Sequence, residues 1–389
     1  MIKTEVQEQQ LYTAAGVMSG TSLDGLDIAL CRFSVSAGGW FVEIIKAETI
    51  SYSGSQWSGR LQEADRLDGL GLMELHRDFG RFTGESVKAF LEDVDEQPDI
   101  IASHGHTIFH QPENRLTLQI GDGAEIAATS GITAVTDFRR LDVALGGQGA
   151  PLVPIGDELL FGQYSHCLNL GGFANVSFRR GGKRLAFDIC PVNIVLNRLA
   201  QEMGQSYDYD GNLGRKGSVD RDLLNALEEL AFYRLEGPRS LGKEWVDNVF
   251  MPVLNRSDAK TEDKLRTVYQ HIAFRIASVI STLTDPVLKK ESHGQTHKQD
   301  ESTGPGSDNP VSLLITGGGA KNRFLTGLVS EKADPVYTVI PEEQLIDFKE
   351  AVIFALLGVL RLRNQVNCLS SVTGASRDNS GGVIHHAGK

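Results

Sequence analysis

The fold is decided by the stretch Gly16-Val17-Met18-Ser19-Gly20-Thr21-Ser22-Leu23-Asp24-Gly25-Leu26-Asp27-Ile28-Ala29-Leu30. Apolar residues lead into a turn with two glycines, three hydroxyl groups and a carboxylate, and apolar and polar residues alternate again after it. Period-two alternation on both sides of a Gly-rich turn predicts a β-hairpin. Its tip suits a phosphate group, because glycines allow close approach to the backbone and hydroxyls add donors. A turn that is polar only because turns face solvent is the alternative.

Length and composition narrow the class of protein. The chain has 389 residues, which predicts two or three domains, and its hydrophobic content of 41% is that of an ordinary globular protein. The net charge is −12 and the basic residues form no dense cluster, which disfavours nucleic acid or an anionic membrane as partner. Without a signal-like start or an apolar run of about 18 residues, the chain is expected to be cytoplasmic.

The cysteines predict thiols and not disulfides. They are scattered, form no CxxC pair and sit in or beside apolar runs; they are Cys31, Cys167, Cys190 and Cys368. Buried free thiols are therefore expected.

The hairpin pattern occurs a second time further along the chain. The strand pattern at 166–170 leads into Gly171 and Gly172, 152 residues after Gly20, and another strand pattern follows at 176–178. A third strand, 311–316, runs into Gly317-Gly318-Gly319. Strands alternate with helical patterns throughout, which predicts an α/β architecture. Neither a Walker motif nor GxGxxG is present, so three glycine turns on two repeated halves favour two lobes that each offer a phosphate hairpin.

Several blocks resemble those of the anhydro-N-acetylmuramic acid kinases. Besides the opening hairpin they are Ser103-His104-Gly105-His106-Thr107, Leu118-Gln119-Ile120-Gly121-Asp122, Asp137-Phe138-Arg139-Arg140, Gly147-Gln148-Gly149-Ala150-Pro151-Leu152-Val153-Pro154, Asn169-Leu170-Gly171-Gly172-Phe173-Ala174-Asn175, Gly317-Gly318-Gly319-Ala320-Lys321-Asn322 and Ser371-Val372-Thr373-Gly374-Ala375. They follow in order along nearly the whole chain.

The resemblance implies a two-lobed actin/hexokinase-like α/β fold, built from duplicated ribonuclease H-like domains with an interlobe cleft. We expect residues 1–137 plus about 347–389 in the first lobe and 138–346 in the second. A helix at about 350–363 would return to the first lobe. The stretch 290–310 has no aliphatic or aromatic residue and is expected to be a mobile insert.

The resemblance also implies an ATP- and Mg²⁺-dependent activity. Such a kinase opens the anhydro ring of 1,6-anhydro-N-acetylmuramic acid with water and phosphorylates O6, which yields N-acetylmuramic acid 6-phosphate and ADP in cell-wall recycling. The family also implies a homodimer. Asp188 corresponds to the general base; from position alone it is equally well a helix N-cap.

Further site residues follow from the same blocks. The residues implied to bind the nucleotide are Gly20, Thr21, Ser22, Leu23, Asp24, Gly25, Leu26, Asp27, Gly171, Gly172, Gly317, Gly318, Gly319 and Asn322, with Asp24 as the route to the metal ion. Thr107, Arg139 and Glu350 are implied to bind the sugar, Arg139 through its carboxylate. Alternatively, Thr107 is an ordinary strand-end hydroxyl, Arg139 half of a surface ion pair, and Glu350 a first-turn acid that stabilises a helix.

Two departures from the family pattern bear on specificity. Ile189-Cys190-Pro191-Val192 replaces a stretch that usually carries glycines and a threonine, and His106 stands where glutamine is usual. They leave open a kinase of the same fold for another amino sugar, or a non-catalytic regulator that binds sugar or nucleotide.

Overall fold

The computed structural model describes residues 10–20, 23–235, 239–284 and 311–388. The strands, in chain order, are β1 (Gln10–Ser19), β2 (Gly25–Ser36), β3 (Gly39–Ser51), β4 (Ile100–Gln111), β5 (Leu116–Ile120), β6 (Ala134–Thr136), β7 (His166–Leu170), β8 (Phe173–Arg180), β9 (Lys183–Pro191), β10 (Ser312–Thr316), β11 (Tyr337–Val339) and β12 (Val383–His385). The α-helices are α1 (Trp57–Gln62), α2 (Gly69–Phe90), α3 (Gly123–Ser130), α4 (Arg140–Ala144), α5 (Pro154–Leu159), α6 (Asn193–Glu202), α7 (Arg221–Glu228), α8 (Lys243–Trp245), α9 (Met251–Arg256), α10 (Thr261–Thr284), α11 (Arg323–Ala333), α12 (Glu343–Leu362) and α13 (Ser370–Thr373).

The chain divides into two compact units. The first comprises Met1–Gly162 and Phe348–Lys389, and the second comprises Gln163–Asp347. The second boundary, between Asp347 and Phe348, falls inside α12. This helix begins at Glu343, whereas the sequence predicted it at about 350–363.

The first boundary corrects the expectation that the second lobe starts at residue 138. Residues 138–162 belong to the first unit because Asp142, on α4, accepts hydrogen bonds from three side chains of the C-terminal segment. The glycine-rich stretch at 145–151 is therefore an internal loop of that unit and not a linker between domains.

The sheet of the first unit begins with the predicted hairpin. β1 pairs antiparallel with β2, and β2 with β3, so that three consecutive strands form a meander. On its other side β1 pairs in parallel with β4, which pairs with β6. β12 closes this edge, and the sheet order is β12-β6-β4-β1-β2-β3 with β5 attached to β4.

The second unit repeats this order. β7, β8 and β9 form the antiparallel meander, β7 pairs in parallel with β10, and β10 with β11, which gives the order β11-β10-β7-β8-β9. This repetition confirms the duplicated ribonuclease H-like architecture that the family resemblance implies. In both units the first glycine turn joins the first two strands of the meander.

Each sheet carries its own apolar core. In the first unit the buried side chains of the central strands pack with Leu75 and Phe79 of the amphipathic helix α2. In the second unit the 24-residue helix α10 supplies much of the core, including Ile272 and Ile276. Parallel strands need cover on their faces, and these long helices provide it.

Two further expectations can be compared with the structure. All four cysteines are buried and free, as predicted. Within the described ranges, no helix combines the length and the apolar character that a membrane crossing requires. The stretch 290–310, expected as an insert, lies outside the described residues.

Candidate functional site

Asp188 lies at an irregularity in the edge strand of the second sheet. It pairs with Asn175 of β8, whereas Ala174 pairs with Cys190, so that Ile189 is an extra residue and β9 bulges there. A β-bulge bends the strand and redirects side chains, and such bulges are frequent beside active sites. The strand continues past Asp188 to Pro191.

The carboxylate of Asp188 is half-buried and held by a neighbouring segment. Its Oδ2 accepts a hydrogen bond of 2.8 Å from the backbone N–H of Leu241. Burial raises the pKa of Asp188, and the hydrogen bond from Leu241 opposes that rise. A carboxylate whose pKa is moved upward is better matched to proton abstraction near neutral pH than an exposed aspartate.

The alternative role of Asp188 as a helix N-cap is wrong. The next helix, α6, begins at Asn193, and its N-cap residue is Val192. The first N–H groups of that helix instead donate to the glycine turn: Val192 to the carbonyl of Gly172 at 2.8 Å, and Asn193 to that of Gly171 at 3.3 Å. The turn between β7 and β8 is thus tied to the start of α6.

The altered loop beside Asp188 faces the core. Ile189, Cys190 and Val192 have no solvent-exposed surface and belong to the apolar core of the second unit. The bulkier side chains that replace the usual glycines and threonine are therefore accommodated by packing, away from solvent.

A cavity of about 800 Å³ lies in the second unit at the third glycine turn. It is lined by Gly318 and Gly319 of that turn, by Asn322, and by residues of α6 and of the start of α12. Gly317 lies at the neck of this turn with φ of +81°, and a Cβ there would meet Asn169 Oδ1 at 2.5 Å. The turn can pack this closely against β7 only with glycine at that position.

The side chain of Asn322 is engaged with the protein. Its Oδ1 accepts from the N–H of Leu325 at 3.0 Å and caps α11, while its Nδ2 donates to the hydroxyl of Tyr269 at 2.8 Å. The Tyr269 hydroxyl in turn donates to Asp208 Oδ2 at 3.0 Å. Asn322, predicted to bind the nucleotide, thus shapes the wall of the cavity through its amide.

Sequence reasoning missed one segment of this cavity. Tyr207, Asp208, Tyr209 and Asp210 line it, and both tyrosine rings are largely exposed. Asp210 accepts a hydrogen bond of 2.8 Å from the N–H of Arg323. The alternation of tyrosine and aspartate before Gly211 is the sequence signal that could have marked this segment.

The hairpin of the first unit is fixed by Tyr52. Its hydroxyl lies 2.8 Å from Ser19 Oγ at the end of β1, and its N–H donates to the carbonyl of Asp24 at 3.1 Å. Ser19 Oγ also contacts His106 Nδ1 at 2.9 Å. Burial lowers the pKa of His106 to about 4, so that the imidazole is neutral at neutral pH. Both ends of the turn are therefore held by one residue, Tyr52, through its hydroxyl and its backbone N–H.

The predicted phosphate residues of this hairpin occupy different environments. Gly20 ends the described part of the turn, Leu23 has φ of +61°, and Asp24 is exposed. Leu26 is 1% exposed, so that the expectation of a nucleotide contact is wrong for its side chain, which packs in the core. Gly25 starts β2, and Asp27 accepts a hydrogen bond of 2.6 Å from Thr49 Oγ1. Thr21 and Ser22 lie outside the described residues.

Arg139 is held by two partners in the first unit. Its Nε donates to His104 Nε2 at 2.9 Å and its Nη1 to the carbonyl of Gly149 at 2.7 Å. His104 Nδ1 donates to the Gly105 carbonyl at 2.9 Å, which fixes the neutral tautomer. Burial lowers the pKa of Arg139 to about 10, so that it stays cationic. Arg139 is thus a partly buried, oriented cation and not half of a surface ion pair.

A buried carboxylate supports the Arg139 loop. Asp142 Oδ2 accepts from the N–H of Gly149 at 2.8 Å, and Oδ1 accepts from Cys368, Thr373 and Asn379 at 2.9–3.0 Å. Asp142 is fully buried. The C-terminal block around Thr373 therefore acts on Arg139 through Asp142 and Gly149.

Glu350 lies near Arg139. The helix α12 begins at Glu343, so that Glu350 is well past the first turn and first-turn stabilisation does not account for it. The residue as a whole is exposed, yet desolvation by neighbouring protein atoms raises its pKa; Arg139 lowers that pKa and Asp27 raises it further. The helix approaches β1 closely, because Gly16 leaves room for the carbonyl of Ala351, which a Cβ would meet at 1.8 Å. Arg139 and Glu350, predicted to bind the sugar, and Asp27, predicted to bind the nucleotide, thus interact electrostatically within the first unit.

Thr107 is partly exposed on β4. Its Oγ1 accepts a hydrogen bond of 3.3 Å from Gln119 Nε2 on β5. The hydroxyl hydrogen is not used in that contact and can be donated to a ligand.

Asp24 is the predicted route to a metal ion. The described residues contain no group of three or more His, Cys, Asp or Glu side chains placed to hold a metal ion. A single exposed carboxylate fits Mg²⁺, which keeps several waters and is held in many sites by one or two carboxylates together with substrate phosphates.

Comparisons with known proteins show which family this chain resembles. The family model described as anhydro-N-acetylmuramic acid kinase matches residues 12–387. The anhydro-N-acetylmuramic acid kinase of Gloeobacter violaceus is 34% identical over 96% of this chain and 99% of its own, and that of Haemophilus influenzae is 34% identical over 95% of this chain and 96% of its own. Among solved structures, the activator of 2-hydroxyisocaproyl-CoA dehydratase from Clostridium difficile with bound ADPNP aligns with a TM-score of 0.38 and 13% identity, over 92% of this chain and 97% of that chain. The family model and the two sequence relatives span nearly the whole chain, and the chain belongs to the anhydro-N-acetylmuramic acid kinase family.

Proposed function

We propose that this kinase uses ATP and water to convert 1,6-anhydro-N-acetylmuramic acid into N-acetylmuramic acid 6-phosphate and ADP. A water oxygen bonds to the anomeric carbon as the bond from that carbon to the bridging oxygen breaks, and Asp188 accepts the proton of the water. The freed 6-oxygen then attacks the γ-phosphorus of ATP, and the bond between that phosphorus and the β–γ bridging oxygen breaks. Both steps depend on positioning and charge neutralisation.

The observation that carries the proposal is the environment of Asp188. Its carboxylate is half-buried on a bulge, its pKa is raised by burial, and a backbone N–H fixes one oxygen at 2.8 Å. The second oxygen is thereby oriented to take a proton. A non-catalytic regulator has no use for a carboxylate held in this way.

The first unit supplies groups for the anionic parts of the substrates. Arg139, cationic and held by His104 and Gly149, pairs with the carboxylate of the sugar. Thr107 and Glu350 contact the sugar hydroxyls. The glycine turns after β1 and β7 line the phosphates, and the turn after β10 with the cavity beside it takes the adenosine.

Asp24 would hold Mg²⁺ through its exposed carboxylate. When bound, the ion neutralises charge on the β- and γ-phosphates. The chain's own contribution is to fix the position of Asp24, whose carbonyl accepts the N–H of Tyr52.

A change of sugar specificity is not favoured by the altered loop. Ile189, Cys190 and Val192 are buried in the core, so that they offer no side chain to a ligand. We therefore keep the anhydro sugar as the substrate, together with a role in cell-wall recycling in the cytoplasm and a homodimeric state, which size-exclusion chromatography with light scattering tests.

A coupled assay of ADP release with the anhydro sugar tests the activity. We expect turnover that needs the sugar, ATP and Mg²⁺, and that Asp188→Asn abolishes while ATP binding persists. Undiminished turnover in Asp188→Asn would overturn the assignment of the base. Nucleotide binding without turnover on any amino sugar would favour a regulator.

A further inference from the structure

The segment 239–241 meets β9 at the position of Asp188. β9 is the edge strand of its sheet, so that no strand of the described residues pairs with the outer side of its backbone. The N–H of Asp188 donates to the carbonyl of Arg239 at 2.9 Å, and Arg239 Nε donates back to the carbonyl of Asp188 at 3.2 Å. Two residues further along, Leu241 donates its N–H to the side chain of Asp188 at 2.8 Å.

Arg239 is itself anchored by neighbouring groups. Its Nη1 donates to the carbonyl of Leu235 at 2.8 Å. Its guanidinium lies 5.4 Å from the ring centroid of Phe187 and 5.1 Å from that of Phe232, within the range of cation–π attraction. The side chain therefore joins β9, the chain around residue 232 and the segment that carries Leu241.

We infer that Arg239 and Leu241 are positioning residues that keep the carboxylate of Asp188 charged and correctly oriented for proton abstraction. The inference rests on the proposed function of Asp188. Both residues bond to Asp188 and act through it. The physical reason is that a hydrogen bond to the charged form of a carboxylate stabilises that form and fixes the free oxygen.

The titratable groups near Asp188 keep their charge state near pH 7, so that the hydrogen bond from the Leu241 N–H is the contact whose loss should change the pKa of Asp188. Cys190, two residues along β9, is buried, and its thiol has a pKa raised well above its ordinary value, so that it stays neutral near pH 7. Arg239 remains cationic even though burial lowers its pKa. Loss of the Leu241 N–H should therefore raise the pKa of Asp188.

Leu241→Pro removes the donor, and Leu241→Ala, which keeps the N–H, is its matched control. Arg239→Met removes the guanidinium, and Arg180→Met is the control, since Arg180 also lies over a phenylalanine ring of this sheet, at 5.4 Å from Phe178. We expect the acid limb of the pH profile of kcat/KM to move upward by about one pH unit in Leu241→Pro, since hydrogen bonds to charged groups are worth more than neutral ones. In Arg239→Met we expect an upward movement of the same sign with lowered kcat and unchanged KM for ATP.

Carbon-13 NMR titration of the Asp188 carboxyl, assigned with Asp188→Asn, gives a readout that does not depend on turnover. An upward displacement in Leu241→Pro and Arg239→Met but not in the two controls supports the inference. Unchanged titration in both variants overturns it, even if the wild-type protein turns over. If Leu241→Pro fails to fold by thermal melting, Arg239→Met decides. If the wild-type protein shows no turnover but the titration of Asp188 is displaced in the two variants, the proposed function is refuted and the positioning of Asp188 by Arg239 and Leu241 is supported.

Discussion

Replacing Asp142 by asparagine tests whether the C-terminal segment controls the Arg139 loop. Asp142 is fully buried on α4 and accepts four hydrogen bonds, three on Oδ1 and one on Oδ2. An amide cannot accept on both sides. Its best orientation keeps the oxygen toward the three donors and places the NH₂ group against the N–H of Gly149, now 2.8 Å away.

The expected cost follows from that geometry. One hydrogen bond to a charged group is lost and a buried donor is left unpaired, while the other three bonds weaken from charge-assisted to neutral; together this destabilises the protein by about 4 kcal/mol. Thr373→Val removes a single donor and should cost about 1.5 kcal/mol. Leu141→Ala, at an exposed position of the same helix, should change the free energy of unfolding by less than about 0.5 kcal/mol.

Urea titrations of the three variants measure this order. Because Gly149 also accepts from Arg139 Nη1, we expect Asp142→Asn to raise the KM for the anionic sugar more than the KM for ATP. An Asp142→Asn protein as stable as the wild type, or equal changes in the two KM values, would refute the link from Asp142 through Gly149 to Arg139.

Two further predictions concern the glycine turns and the hairpin. In the folded state the pKa of His106 is lowered to about 4 from 6.5, so that the unfolded chain binds this proton more readily and the free energy of unfolding falls as the pH drops from about 6.5 toward 4. His106→Gln can still form a hydrogen bond with Ser19 and should make this decline smaller by an amount on the order of 3 kcal/mol. Urea titrations of both proteins at pH 7 and pH 4.5 measure the decline, and an equal decline in both would contradict the burial argument. Gly317→Ala places a methyl group 2.5 Å from Asn169 Oδ1 at φ of +81° and should destabilise the protein by about 3 kcal/mol, whereas Gly318→Ala, which meets nothing within 4 Å, should leave the melting temperature nearly unchanged. Equal melting temperatures for these two variants would contradict it.

Local patterns in the sequence predicted the features that depend on a few neighbouring residues. Alternation around a glycine turn correctly located both hairpins, because the period of two and the backbone freedom of glycine act within about ten residues. From the repetition of these patterns the duplicated α/β architecture could be predicted before any contact was known.

The family resemblance supplied residue roles that local patterns could not. Asp188 is an aspartate near a strand end, and position alone left base and helix cap equal. Only the structure excluded the cap, since α6 begins five residues later with Val192 as its N-cap. The environment that suits Asp188 to catalysis comes from Leu241, 53 residues away in sequence.

The sequence by itself determined the repeated strand–glycine–strand units, the buried thiols and the α/β class, since each arises from short-range periodicity or composition. Tertiary structure alone decided the boundary after Gly162, the support of Arg139 by Asp142, and the hold of Leu241 on Asp188. Asp142 accepts from residues 226 to 237 positions away in sequence, and Leu241 lies 53 positions from Asp188; such distant pairings carry no periodic signal. The opening hairpin could therefore be predicted from its own residues, whereas the environment of Asp188 is formed by segments that come together only on folding.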